Sequence, residues 1–222
     1  MAPVPTLKSI PAPGLVVCKG YTALNQECFV LKESRKHFRR RNVEVSFKDT
    51  ATGRLGGVFM EIDEGKDKRF YFTDGKNGGP VFTIERERHT WSPDVYIARD
   101  HTGAKMWQLE VSVHSFKPDD YVLTLLRPKY QVLSLQKKLQ NKERELRFNG
   151  TPAMSIDEPP LFSHTRREEC VHVAQGMDRT LGIGVAFVRY YTDTEKRNSS
   201  GRASWFSITN AGAIAGATAG AC

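Results

Sequence analysis

Apolar and polar residues alternate through much of the first two thirds of the chain. In Val43-Glu44-Val45-Ser46-Phe47-Lys48 the apolar residues take every second position. A period of two is the pattern of a strand with one dry face and one wet face. Short segments of this kind, rich in Val, Ile, Phe, Tyr and Trp, fall at 15–19, 28–32, 43–48, 57–61, 69–73, 81–85, 95–99, 106–113 and 121–126. Turn chemistry separates them: Asp49 with Gly53, Asp74-Gly75, and Asp100 with Gly103. Asp closes such turns through its side chain and Gly supplies the positive φ they need. Strands so spaced predict an antiparallel meander forming a barrel or sandwich. No fixed-period repeat is present, which argues against propellers and solenoids.

The alternation breaks twice. Residues 136–147 are strongly charged and read as a loop or short helix, with strands resuming near 145–148 and 166–174. Residues 178–191 are apolar on all sides in their middle, after a chain break at Gly176 and a helix-starting Asp178. A helix apolar all round is a buried helix. A buried strand fits the same run, because periodicity does not separate the two at this length. Gly182 and Gly184 cost a helix roughly 1 kcal/mol each relative to Ala. Close approach of surrounding walls would offset that cost. The ends differ from the body. Residues 1–14 hold four prolines and read as a loosely attached arm, and 211–222 are an Ala/Gly-rich stretch too poor in large apolar groups to order itself.

The order of these pieces resembles the LURP-one-related family, part of the tubby C-terminal-like superfamily that also includes phospholipid scramblases. The resemblance runs from Phe29-Val30-Leu31-Lys32-Glu33 through Val45-Ser46-Phe47-Lys48-Asp49 with Gly53. It continues in Tyr71-Phe72-Thr73-Asp74-Gly75, in Gly79-Pro80-Val81-Phe82-Thr83-Ile84, and in Trp91 with Val95-Tyr96. Val173-Ala174-Gln175-Gly176-Met177-Asp178 resembles the lead-in to that family's central helix. The resemblance implies a mainly β fold: a closed antiparallel β-barrel of about 12 strands around a central buried apolar α-helix. It decides between helix and strand at 178–191 in favour of the helix. It also implies a domain spanning 15–192 and phosphoinositide binding; residues 193–222, which have no counterpart in that family, read as a flexible C-terminal tail.

Length and charge add two constraints. A chain of 222 residues suits one large β domain with a core of its own. The formal net charge of +8 favours an anionic partner. The sharpest concentration is Arg35-Lys36-His37-Phe38-Arg39-Arg40-Arg41, five fixed cations and a histidine between two strands. Such a cluster attracts polyphosphate headgroups, and a solvated turn that discourages edge pairing is the plainer alternative. Arg35, Lys36, Arg39, Arg40 and Arg41 are therefore the candidate lipid- or anion-binding residues. Lys137, Lys138, Lys142, Arg144 and Arg147 form a second, diluted run, and Arg86, Arg88 and His89 a third.

Catalytic signatures are lacking. Walker A, GxSxG and HExxH do not occur, and no CxxC pair marks a zinc ribbon or a thioredoxin site. Asp63-Glu64 and Asp119-Asp120 read as turn carboxylates. Cys170 and His172 would share a face of a strand, a proximity that is usually structural. The four cysteines are expected to be reduced thiols, and neither a signal peptide nor a 20-residue apolar span is expected.

The expectation is thus a non-catalytic module without cofactor or metal. Its partners would be anionic phospholipid headgroups or a protein, with no transmembrane span. It would work in the cytoplasm or peripherally at a membrane, with the nucleus also open to it. A protein- or nucleic-acid-binding adaptor is the first alternative. Nucleic acid is the weaker of its two ligands, because Trp107 reads as core and leaves few stacking aromatics. An enzyme with a loop-built site is the second alternative.

Overall fold

The computed structural model describes residues 5–37, 40–90, 92–114, 119–126, 145–148, 150–157 and 168–214, with side chains described except at 35–37, 40–41 and 197–214. Among the described residues eleven strands precede one helix. They are β1 (Glu27–His37), β2 (Arg40–Lys48), β3 (Leu55–Glu64), β4 (Phe70–Asp74), β5 (Pro80–Glu87), β6 (Asp94–Asp100), β7 (Lys105–Ser112), β8 (Asp120–Leu125), β9 (Glu145–Phe148), β10 (Thr151–Ile156) and β11 (Glu168–Val173), then α1 (Arg179–Ile214). All eleven form one antiparallel sheet in the order β8-β7-β6-β5-β4-β3-β2-β1-β11-β10-β9. The meander from β1 to β8 follows the expected turns. Asp49, Asp74 and Asp100 each accept backbone N–H groups from the residues two and three or four ahead.

One pairing is long in sequence. β1 lies between β2 and β11, with Glu27 opposite Val173 and Phe29 opposite Val171. β8 and β9 are the two edges, and among the described residues no ladder joins them. Among the described residues the strands form one sheet of 11, not closed on itself, so the expected closed barrel of about 12 strands is not shown. Closure needs the edges to exchange hydrogen bonds, and the chain joining them, 127–144, lies outside the described residues.

The chain divides into two compact units, Met1–Ala186 and Phe187–Cys222. In the first, alternate side chains of the strands bury Phe29, Leu31, Val45, Met60, Ile62, Ile84, Trp107 and Leu109. Each such side chain contributes about 1.5–3 kcal/mol, so this face dominates stability. Thr180, Leu181, Ile183, Val185 and Ala186 of α1 are equally buried. The run at 178–191 is thus helical at its start, as the resemblance implied. A Cβ on Gly182 would meet Val173 of β11 at 3.1 Å, and one on Gly184 would meet Trp107 of β7 at 2.6 Å. The sheet therefore reaches this short helical stretch from both of its halves.

In the second unit α1 continues to Ile214, well past the expected end near 191. There Thr192 Oγ1 donates to Val188 O (2.7 Å) and Tyr191 Oη to Glu195 Oε1 (3.1 Å). The tail from 215 lies outside the described residues.

The segment ahead of β1 also differs from expectation. Residues 15–19 form no strand. Leu15 N donates to Gly176 O, Gly176 N to Ala23 O, Ala23 N to Met177 O and Arg179 N to Tyr21 O. This loop embraces the start of the helix instead of joining a ladder. Leu7 and Ile10 are buried, and Ile10 N donates to Gln175 O at 2.8 Å, so residues 5–14 contribute to the core.

Candidate functional site

The basic cluster 35–41 occupies the end of the β1–β2 hairpin. The two strands run in register from Phe29↔Phe47 to Ser34↔Asn42, slip, and meet again at His37↔Arg40. Arg35 and Lys36 thus close β1, and Arg40 and Arg41 open β2. Phe38 and Arg39 lie outside the described residues. Backbone pairing alone places four of the five predicted cations within the last rungs of one hairpin.

The other basic groups are not gathered there. Arg86 is tied by Nη2 to Asp94 Oδ2 (2.5 Å), and its guanidinium lies over the Tyr96 ring at 5.4 Å. Arg147 pairs with Glu145 at 2.9 Å. Lys137, Lys138, Lys142 and Arg144 lie outside the described residues, as does Trp91. Trp107 is fully buried. The carboxylates expected in turns lie largely in strands, Asp63-Glu64 closing β3 and Asp120 opening β8: Asp63 accepts from Asn42 Nδ2 of β2 (2.6 Å) and Asp119 from His114 N (2.9 Å). A pocket of ≈ 220 Å³ beside Ile10 and Phe148 is smaller than a typical small-molecule site.

A denser polar constellation occupies the other face of the sheet. Val173 faces Gly182 of the helix, so alternation along β11 sends Val171 inward and Cys170 and His172 outward. On β1, Cys28 stands opposite His172 and Val30 opposite Cys170. On β10, Ser155 stands opposite His172, and just beyond it Asp157 N donates to Cys170 O at 2.9 Å. Lys48, the last residue of β2, donates from Nζ to Cys170 Sγ at 3.5 Å. His172 Nε2 lies 3.1 Å from Asp157 Oδ1 and 4.0 Å from Cys28 Sγ. Cys28, Ser155 and His172 are buried, while Cys170, Lys48 and Asp157 are half-buried.

The two thiols are electrostatically unlike. The Cys28 thiol hydrogen-bonds to Cys170, and this contact, opposed by burial and aided by the Lys48 ammonium, holds Cys170 down at about 6. The same hydrogen bond, with burial, pushes Cys28 far up. Lys48 is raised in turn, chiefly by the charge on Cys170. Cys170, beside the Lys48 ammonium, is thus the sulfur that ionises first, and Cys28 the one held as a thiol. Cys18, elsewhere in the fold, is pushed up to about 11 by burial and by Asp178 and Asp100.

A protease-like triad is not formed here. His172 turns the same nitrogen to both Asp157 and Cys28, while among the described residues its buried Nδ1 meets no hydrogen-bond partner. A triad needs the two ring nitrogens to serve different partners. Among the described residues no group of three or more His, Cys, Asp and Glu converges as a metal site would. Sequence reasoning singled out Cys170 and His172 but not Cys28, Lys48, Ser155 or Asp157. The missing signal was which strand lies beside β11, information no local pattern carries.

Comparison with known proteins adds no relative: no protein-family model, curated protein or solved structure matches this chain. No described helix is long and apolar enough to cross a membrane.

Proposed function

We propose that this chain is a non-catalytic binding module that docks on anionic membrane surfaces, phosphoinositide-bearing ones above all, through the end of its β1–β2 hairpin. The observation that carries this reading is the register His37↔Arg40, which gathers Arg35, Lys36, Arg40 and Arg41 at one end of two paired strands, on either side of Arg39. Each basic side chain near an anionic leaflet contributes about 1 kcal/mol. Four on one hairpin, with Arg39 between them in sequence, give substantial but salt-sensitive attachment. The net charge of +8 steers the whole chain the same way. The reading includes membership of the LURP-one-related family, a closed barrel, and work at the cytoplasmic side of a membrane.

Liposome co-sedimentation tests it. Vesicles of graded phosphoinositide content would be titrated against wild type and against Arg39→Ala/Arg40→Ala/Arg41→Ala, at low and high salt. The triple variant is expected to bind about 100-fold more weakly, the equivalent of about 3 kcal/mol. Its circular dichroism should be unchanged. Failure of the wild type to bind any anionic vesicle would overturn the reading. Stronger retention by single-stranded nucleic acid would transfer it to the adaptor class.

A further inference from the structure

We propose that Cys28 and Cys170 form an oxidisable dithiol site for hydroperoxides on the outward face of the β1–β11 ladder, with Cys170 the attacking sulfur and Cys28 the resolving one. The argument is geometric first. The two cysteines occupy diagonal positions on one face of adjacent strands, since Cys28 pairs with His172 and Val30 with Cys170. Cys28 Sγ lies 4.0 Å from His172 Nε2, the side chain directly across the ladder from it. Lys48 Nζ reaches Cys170 Sγ at 3.5 Å from the next strand over. His172 and Asp157 complete the surroundings, 3.1 Å apart.

Reactivity divides between the two sulfurs as such a site requires. Cys170 is half-buried and so open to a small oxidant, whereas Cys28 is covered. Low-pKa, accessible cysteines with a second thiol beside them are the pattern of reversible redox sites. An ordinary structural cysteine in an apolar setting would have its thiol raised, as Cys28 and Cys18 do.

The chemistry balances with a hydroperoxide as the only oxidant. The Cys170 thiolate attacks the peroxide oxygen, an S–O bond forms and the O–O bond breaks. The departing hydroxide (or alkoxide) takes the Cys28 proton. The Cys28 thiolate then attacks the Cys170 sulfenic sulfur. An S–S bond forms, the S–O bond breaks, and the second hydroxide takes a proton from solvent. Two thiol sulfurs are oxidised by two electrons and one peroxide is reduced to two waters, or to an alcohol and water. Cross-strand diagonal positions are set roughly 7–8 Å apart, beyond the usual disulfide span, so closing the bond requires the two strands to shift toward each other and leaves it strained and readily reduced. That suits a reversible switch better than a permanent staple.

The experiment uses the full chain and hydrogen peroxide. In native protein at pH 7, Cys170 should alkylate with iodoacetamide about 10-fold or more faster than Cys18, and its rate should fall on acidification through about pH 6. Stoichiometric peroxide should produce a Cys28–Cys170 cross-linked peptide, reversed by dithiothreitol. Cys28→Ser should instead accumulate a Cys170 sulfenic acid trapped by dimedone. Lys48→Met should slow both alkylation and oxidation several-fold without moving the melting midpoint. If Cys170 alkylates no faster than Cys18, or if peroxide gives neither the cross-link nor the trapped sulfenic acid, the proposal is overturned. Should Cys28→Ser not fold, the cross-link assay on wild type and the Lys48→Met rates decide it alone.

Discussion

A methyl group on Gly184 would lie 2.6 Å from Trp107 Cζ2, a contact no real Cβ makes. Trp107 is fully buried and cannot swing aside. On Gly182 the nearest atom is Val173 Cγ2 at 3.1 Å, close enough to need a small adjustment. Helix propensity favours Ala over Gly by about 1 kcal/mol at either position, whereas overpacking costs about 1–3 kcal/mol. Gly184→Ala is therefore expected to lower stability by about 1–2 kcal/mol net, and Gly182→Ala to change it by less than about 1 kcal/mol. Urea denaturation of the two variants checks this, and equal effects would refute the packing account. These glycines were legible as sites of close approach from the apolar run alone. What they approach was not, because a sequence run does not name the strand across the core.

At the scale of the element, the start of α1 is held by one buried carboxylate. Asp178 accepts from Val17 N (2.8 Å), Cys18 N (2.6 Å), Thr180 N (2.9 Å) and Leu181 N (3.2 Å), and Thr180 Oγ1 also donates to it. It caps the helix and fastens the preceding loop at once. Losing a cap costs about 0.5–2 kcal/mol, and each buried N–H left without a partner about 1–3 kcal/mol more. Asp178→Ala is expected to lose about 3 kcal/mol or more in equilibrium unfolding. Burial raises the pKa of Asp178 above its ordinary value, against the pull of its donors. A raised folded value means that its contribution is fully present below the unfolded value near 3.8 and is lost as pH rises through the folded one. Unfolding free energies from pH 7 down to pH 4 should therefore shift in favour of wild type over Asp178→Asn. A flat difference would remove the pH argument while leaving the cap.

The strands and turns of the meander were readable because alternation and Asp-based turns are local signals. β10 was not read, because Pro152 inside Thr151–Ile156 obscures a strand that follows the positive-φ turn at Gly150. The helix runs past its expected end because the apolar run that marked it stops near 191, while α1 continues through polar residues to Ile214.

At the scale of the first compact unit, the proline-rich beginning proves to be part of the packing. Composition read 1–14 as an arm, yet Leu7 and Ile10 are buried. Gly14 and Gly176, both with positive φ, bring two backbones together: a Cβ on Gly14 would meet Gly176 O at 2.5 Å. Removing residues 1–11 should cost about 2–4 kcal/mol, from two buried aliphatic side chains at about 1.5–3 kcal/mol each less the entropy recovered. A fall in the thermal midpoint checks it, and an unchanged midpoint would show the segment to be dispensable. The thiol constellation was half-legible for a related reason. Cys170 and His172 are two residues apart, but Cys28 and Lys48 reach them only through the β1–β11 and β1–β2 pairings.

That pairing of the first strand with the last has a temporal consequence. The partners of Glu27, Phe29 and Leu31 are Val173, Val171 and Glu169, and the loop at 15–23 closes on Gly176, Met177 and Arg179. On the ribosome, β1 emerges while its second neighbour has still to be translated, so for most of synthesis one of its edges and the helix-facing side of the meander stay open. Contacts this distant along a chain form slowly, and open edges in the interval invite aggregation. Completion of the core is thereby tied to the arrival of residues 168–186, which supply the second neighbour of β1 and the partners of the loop at 15–23.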